Sequence, residues 1–187
     1  MKPADAASLA DWRRQVAELY ARWREDSAAD PERATREFRA ARDRLFREHP
    51  QSPLPPAARA GFHGLPYFDY DPGARLAVRL APASEARWTF EAGGDGDMTL
   101  RRFARTEGLA ARFGGELDVW WIEGYGGGRY LIDAIKGADL GGESDGRAIL
   151  DFNFAYQPSC AYDPRWVCPL APPSNRLIME IRAGERL

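Results

Sequence analysis

Between Ala6 and Ala29 the apolar residues Trp12, Val16, Leu19, Tyr20 and Trp23 recur at offsets of 4, 7, 8 and 11 from the first. That spacing traces one face of a helix. Ser8 and Asp11 resemble a capping pair at its start, with the acidic group near the positive end of the helix dipole. Asp30-Pro31 then reads as an N-cap with proline in the first helical position, opening a second helix that carries Ala34, Phe38, Ala41 and Leu45 on one face. This helix is expected to stop at His49, because Pro50 disfavours the helical conformation in the residue before it. Four prolines between His49 and Pro56 make the next stretch an extended connector.

After Gly61 the pattern changes to alternation broken by turns. Tyr67–Tyr70 reads as a short strand closed by Asp71-Pro72-Gly73. Leu76, Val78 and Leu80 alternate with Ala77 and Arg79, and Trp88 alternates with Phe90. Further strands are expected at Met98–Ala104, Leu109–Phe113, Leu117–Ile122, Arg129–Ile135, Ile149–Ala155 and Leu177–Ile181. No helix-length segment separates them, which disfavours a parallel α/β sheet. The expected fold is α+β: an N-terminal helical segment, residues 1–48, packed against an antiparallel β-barrel or β-sandwich body, residues 49–187, the two forming one structural unit.

Composition narrows the function classes. The chain has 187 residues, 44% hydrophobic and 12% aromatic, enough for a packed core. A net charge of −2, with arginines interspersed among acids, gives no field that favours nucleic acid or an anionic membrane. No apolar run approaches the roughly 18 residues of a membrane span. The start, Met1-Lys2-Pro3-Ala4-Asp5, has no apolar signal region, and the two cysteines fit a reducing, cytoplasmic setting.

Three segments could carry chemistry. Gly124-Tyr125-Gly126-Gly127-Gly128-Arg129-Tyr130 could present backbone N–H groups and the Arg129 fork to an anion, although the residues after it read as a strand and not as a phosphate-binding helix. A tight hairpin explains the same glycines. In Leu150–Tyr156, alternation puts Asp151, Asn153 and Ala155 on one face and Phe152, Phe154 and Tyr156 on the other. In a sandwich the polar face is solvated; in a barrel it lines a lumen where a carboxylate and an amide orient a ligand. The long loop Gln157–Asn175 contains Cys160, Tyr162 and Cys168; the cysteine spacing matches no zinc pattern, so structural thiols are the plain reading, ahead of a disulfide or a reactive pair. Trp120-Trp121 places one indole on each face of its strand, one in the core and the other under the helices or in a pocket.

Read together, the residues define two function classes. In the first, a β domain binds a small polar or anionic ligand through Arg129, Tyr130, Asp151, Asn153, Cys160, Tyr162 and Trp121. In the second, an enzyme uses an Asp/Asn/Arg cleft for hydrolase-like acid–base chemistry, with Asp151 or Asp133 as base and Arg129 stabilising negative charge. No cofactor or metal set is read from the sequence, and the amphipathic helices offer a face for a homodimer.

The chain resembles the bacterial and archaeal family catalogued as domain of unknown function 1684. The resemblance rests on Arg42–Phe46 leading into His49–Leu54, on Phe62–Phe68, on Tyr125–Leu131, on Asp151–Asn153, and on Pro158–Tyr162 with Cys168–Leu170. It closes with Asn175–Leu177 and Ala183–Glu185, so it runs from about Trp12 to Glu185. The tryptophan pair at 120–121 departs from it, standing where a more polar stretch is expected. The resemblance implies a fold and candidate positions, and no reaction.

Overall fold

The computed structural model describes residues 3–91, 97–123, 140–166 and 171–186. Two antiparallel-connected helices come first, α1 (Pro3–Asp26) and α2 (Pro31–Glu48), then the single turn α3 (Pro56–Arg59). The start of α2 follows its chemistry. The Asp30 side chain accepts from the Arg33 N–H at 2.9 Å, and Pro31 occupies the first turn. Helix α1 begins earlier than its capping pattern suggests, at Pro3, so Ser8 and Asp11 lie inside it. Asp11 instead accepts from Gln15 and from the His49 ring, at 2.7 and 3.1 Å. The Gln51 N–H donates to His49 Nδ1 at 3.0 Å, so Nε2 carries the ring proton that reaches Asp11 and clasps α1 to the end of α2.

Among the described residues five strands follow: β1 (Arg75–Pro82), β2 (Arg87–Glu91), β3 (Asp97–Glu107), β4 (Asp118–Glu123) and β5 (Ala148–Asp151), with the short helix α4 (Ala110–Phe113) before β4. All pairings among them are antiparallel. The long strand β3 organises the sheet. Along one edge it pairs with β2 at Asp97–Arg101 and with β1 at Ala104–Glu107, while β4 takes the opposite edge. The first half of β1 pairs with β5 instead, Arg75 facing Asp151 and Val78 facing Ala148. The order β2-β3-β1-β5 stays open, so the sheet does not close into a barrel. Helices, not a second sheet, cover the face of β5 that presents Ile149.

Strand β5 divides the core. Ile149 joins Tyr20, Trp23, Phe38 and Phe154 under α1 and α2, whereas Leu150 joins Val78, Leu109, Phe113 and Phe152 on the other side. Phe154 meets Trp23 and Phe38 edge-on with ring centres 4.6 and 4.7 Å apart, and Phe152 meets Phe113 in the same way at 4.7 Å. Buried on both faces, this strand cannot show a wet side.

Four expected strands take another form. Leu109–Phe113 is mostly α4, because the Glu116 carboxylate accepts from the N–H groups of Gly108, Leu109 and Ala110 and so nucleates a turn there. Ile149–Ala155 is extended only to Asp151 and then turns as a 3-10 segment, Phe152–Phe154. Leu177–Ile181 is irregular, and Tyr67 keeps only an isolated bridge to Glu185. The segment expected at Arg129–Ile135 lies outside the described residues. No described helix is long and apolar enough to cross a membrane.

The last residues lock the fold. Phe68 N–H donates to Gly184 O, Glu185 N–H to Ala155 O and Arg186 N–H to Pro66 O, at 2.8, 2.9 and 3.0 Å. Gly184 has φ +78°, and a Cβ there would sit 2.6 Å from the carbonyl oxygens of Ala155 and Phe152. Gly146 has a similar φ of +84° but nothing within 4 Å of an added Cβ. Gly146→Ala should therefore cost only the left-handed strain of about 1–3 kcal/mol, while Gly184→Ala should cost clearly more. Urea unfolding of the two variants checks this; equal costs would refute the backbone crowding at Gly184.

Candidate functional site

Two polar clusters are built where α2 meets the sheet, and they differ in how completely they are satisfied. The first centres on Arg42, which sits on the inner side of α2, and Glu185, whose side chain is 1% exposed. Arg42 Nη1 donates to Glu185 Oε2 at 2.8 Å and to Tyr67 Oη at 3.0 Å. The Tyr162 hydroxyl donates to Glu185 Oε1, and the Gln157 N–H to Oε2 at 3.3 Å. The Arg42 guanidinium also lies over the rings of Phe46 and Tyr156, at 4.7 and 5.2 Å. Burial acts to lower the Arg42 pKa, but Tyr67 and Glu185 outweigh it and the group stays charged. Burial, opposed by Arg42 and reinforced by Glu185, pushes the Tyr162 phenol far up, so it remains a donor.

The second cluster surrounds Asp151 and Asn153, each 1% exposed. Asn153 is engaged on all sides: its Oδ1 accepts from Asp71 N–H at 2.9 Å, and its Nδ2 donates to Asp71 O at 2.7 Å and to Asp151 Oδ1 at 2.8 Å. The Asn153 N–H donates to the same Asp151 oxygen at 2.9 Å, which bends the chain out of β5. Asp151 thus has its rotamer fixed through Oδ1, while its Oδ2 is buried without a partner among the described residues. Arg75 lies directly opposite Asp151 on the β1–β5 ladder, on the same face. Its guanidinium lies 4.9 Å over the Trp23 ring, and its Nη1 is buried without a partner among the described residues. From α2, Arg39 donates to Phe68 O at 2.9 Å and to Asn153 O at 3.3 Å, but its buried Nε has no partner among the described residues.

Neither Arg39 nor Arg75 makes an ion pair among the described residues. Burial raises the Asp151 pKa above its ordinary value of 3.8, against the pull of the Asn153 bonds and of Arg75 and Arg39. Burial likewise lowers Arg39 and raises Tyr70, the latter with help from Asp151. Beside the cluster, a crevice walled by Arg39, Arg42, Tyr67, Asn153 and Tyr156 encloses about 10 Å³, room for one water. Tyr156, 41% exposed, is its outer wall. A larger open groove of about 350 Å³ between α1 and α2 carries both signs of charge, with Glu18 and Glu48 beside Arg22 and Arg44.

Of the residues expected at a site, the structure brings Asp151 and Asn153 together, though not on a solvated or lumenal strand face: both are buried, along with Phe152 and Phe154. The alternation fails because the chain leaves the strand at Asp151. Tyr162 belongs to the neighbouring Arg42–Glu185 cluster and packs edge-on against Phe46 at 5.2 Å. Cys160 is half-buried on the 3-10 turn Ser159–Ala161. On β4, the backbone of Trp121 pairs with Arg101 of β3, and its side chain lies outside the described residues, as do Arg129, Tyr130, Asp133 and Cys168. Among the described residues no group of three His, Cys, Asp or Glu could hold a metal ion.

Sequence reasoning passed over Arg39, Arg42, Arg75 and Glu185. Arg39 and Arg42 carried a readable signal: they flank the apolar face of α2 next to Phe38, Leu45 and Phe46 instead of standing opposite it. Arg75 and Glu185 had none, since their partners are distant in sequence.

Two outcomes are expected. Glu185→Leu should cost about 3–5 kcal/mol by leaving Arg42 buried and unpaired, and adding Arg42→Met should recover most of it in denaturant unfolding. Failure of the double variant to recover would show that the charge pair itself is needed. For Asp151, a native pKa above 3.8 means that its stabilising contribution is complete below pH 3.8 and is lost as pH rises through the native value. Asp151→Asn should remove that dependence, so the stability difference between variant and wild type, followed by unfolding from acid to neutral pH, should shift in the variant's favour as pH rises; a difference that stays flat would sink the assignment.

A family model described as a protein of unknown function (DUF1684) matches residues 120–186. Among solved structures, the chain is 30% identical to the uncharacterized protein from gene locus rrnAC0354 of Haloarcula marismortui, determined by NMR in solution. The similarity covers 87% of this chain and 97% of that one, with a TM-score of 0.50. No curated protein matches the chain.

Proposed function

The chain belongs to the DUF1684 family of proteins of unknown function, and from that premise we propose that it binds a small ligand bearing a negative charge at the junction of α2, β1 and β5. The observation that carries this reading is that one junction holds three buried polar atoms with no partner among the described residues, Arg39 Nε, Arg75 Nη1 and Asp151 Oδ2, on side chains linked through Asn153 or paired across a ladder. A buried donor or acceptor without a partner costs about 1–3 kcal/mol. Folded chains keep such groups sparingly, and a ligand that supplies the missing partners recovers the cost. Two guanidinium groups with no carboxylate in contact favour an anion, and guanidinium forks match carboxylate and phosphate oxygens in geometry.

The adjoining crevice has room for a single water, so a larger ligand enters by displacing a wall, and Tyr156 is the wall nearest solvent. Asn153 takes a different part from the one the sequence suggests. It holds Asp151 in place and does not itself meet the ligand, because its amide is fully engaged. Arg129, Tyr130, Trp121, Cys160 and Tyr162 remain proposed contacts on the sequence argument alone, and the junction stands without them.

Titration of the ¹⁵N-labelled protein with inorganic phosphate tests the reading. Saturable shifts should centre on the amides near Arg39, Arg75 and Asp151. Arg75→Gln should weaken binding about tenfold or more, the worth of one charge-assisted hydrogen bond, with little change in thermal stability. Shifts that grow linearly and scatter over the surface would reject the site.

A further inference from the structure

Resting on the binding reading above, we infer that the anion taken at this junction carries its own hydrogen-bond donor: a protonated oxyanion or a 2-hydroxy acid, and not an aprotic anion. Arg39 and Arg75 offer donors only, so they ask for acceptor oxygens. Asp151 asks for the opposite. Its Oδ1 already accepts twice, from the Asn153 amide and backbone, at 2.8 and 2.9 Å, and this leaves Oδ2 as an acceptor with nothing to accept. At 1% exposure it cannot turn to bulk water for a donor.

The two demands fall on one face of one ladder, because Arg75 and Asp151 are directly opposed there. An anion drawn to Arg75 is therefore drawn to the side of a buried carboxylate. Sulfate or acetate would set an oxygen lone pair against Oδ2 and leave it unsatisfied. Phosphate, which retains a proton near neutral pH, and lactate, with a hydroxyl beside its carboxylate, can give Oδ2 a hydrogen bond while their other oxygens face the guanidinium groups. The rotamer lock from Asn153 makes this a selection device: the carboxylate cannot swing away from an ill-matched anion without breaking two buried hydrogen bonds.

The test compares matched pairs on the full chain at constant ionic strength, phosphate against sulfate and lactate against acetate, by calorimetry and by amide shifts. One hydrogen bond to a charged group corresponds to a preference of about 10- to 100-fold for the donor-bearing member. A preference within the phosphate–sulfate pair alone points to a protonated oxyanion, within the lactate–acetate pair alone to a 2-hydroxy acid; either supports the inference. Asp151→Asn, close in shape and able to offer a donor in place of the free oxygen, should erase or reverse the preference while sulfate or acetate binding is kept or improved. Equal binding within both pairs overturns the inference and leaves the anion site standing. Absence of saturable binding by all four probes overturns both. The wild-type comparison decides even if Asp151→Asn does not fold.

Discussion

The buried ion pair between Arg42 and Glu185 is the constraint on which the rest of the architecture depends. It joins residues 143 positions apart and draws in Tyr67, Tyr162 and the Gln157 backbone, so four separate stretches of chain meet on one carboxylate and one guanidinium. A charge pair this deep repays its desolvation only when the geometry is good and the remaining polar atoms are bonded. Here the carboxylate receives three donors and the guanidinium lies between two aromatic rings. The apolar cluster of Phe46, Leu54 and Leu65 closes around it, and the terminal ladder of Gly184–Arg186 is held against Pro66–Phe68.

Set beside that cluster, the Asp151 junction is conspicuous for what it leaves unbonded. The same helix supplies both arginines, three residues apart, yet one finds a carboxylate and the other only carbonyl oxygens. The local chain explains half of this: Asn153 takes the near oxygen of Asp151 as part of the turn that ends β5, which removes it from ion pairing. Structural needs thus account for Oδ1 and for the whole of Asn153. They do not account for Oδ2 or for the nearby guanidinium atoms, and the binding proposal rests on that remainder.

Much of the frame was legible in the sequence. Helix α2 announced itself by Asp30-Pro31 at one end and Pro50 at the other, and β1, β2 and β4 by their alternation and bounding turns. Two of the misreadings share one cause, in that side chains override local pattern. Leu109–Phe113 has the composition of a strand, but Glu116 gathers the three N–H groups before it into a helical turn. Phe152–Phe154 continues an alternating run, but the Asp151 carboxylate captures the next-but-one N–H and curls the backbone. The site was half legible. Asp151 and Asn153 stood out as polar residues in an aromatic strand, whereas Arg39 and Arg75 are two among many arginines until the fold sets them against Asp151.

The far separation of Arg42 from its partner also orders events in time. A chain made from its N-terminus at about 5–20 residues per second has α1 and α2 available long before residues 183–186 leave the ribosome. Until then Arg42 and Tyr67 face a place that nothing yet occupies, and the wall of aromatic side chains around Phe46 is open on that side. The helical hairpin is therefore an early but incomplete assembly. Closure of that wall waits on residues 183–186, and any holdase acting before they arrive would find its exposed surface around Phe46.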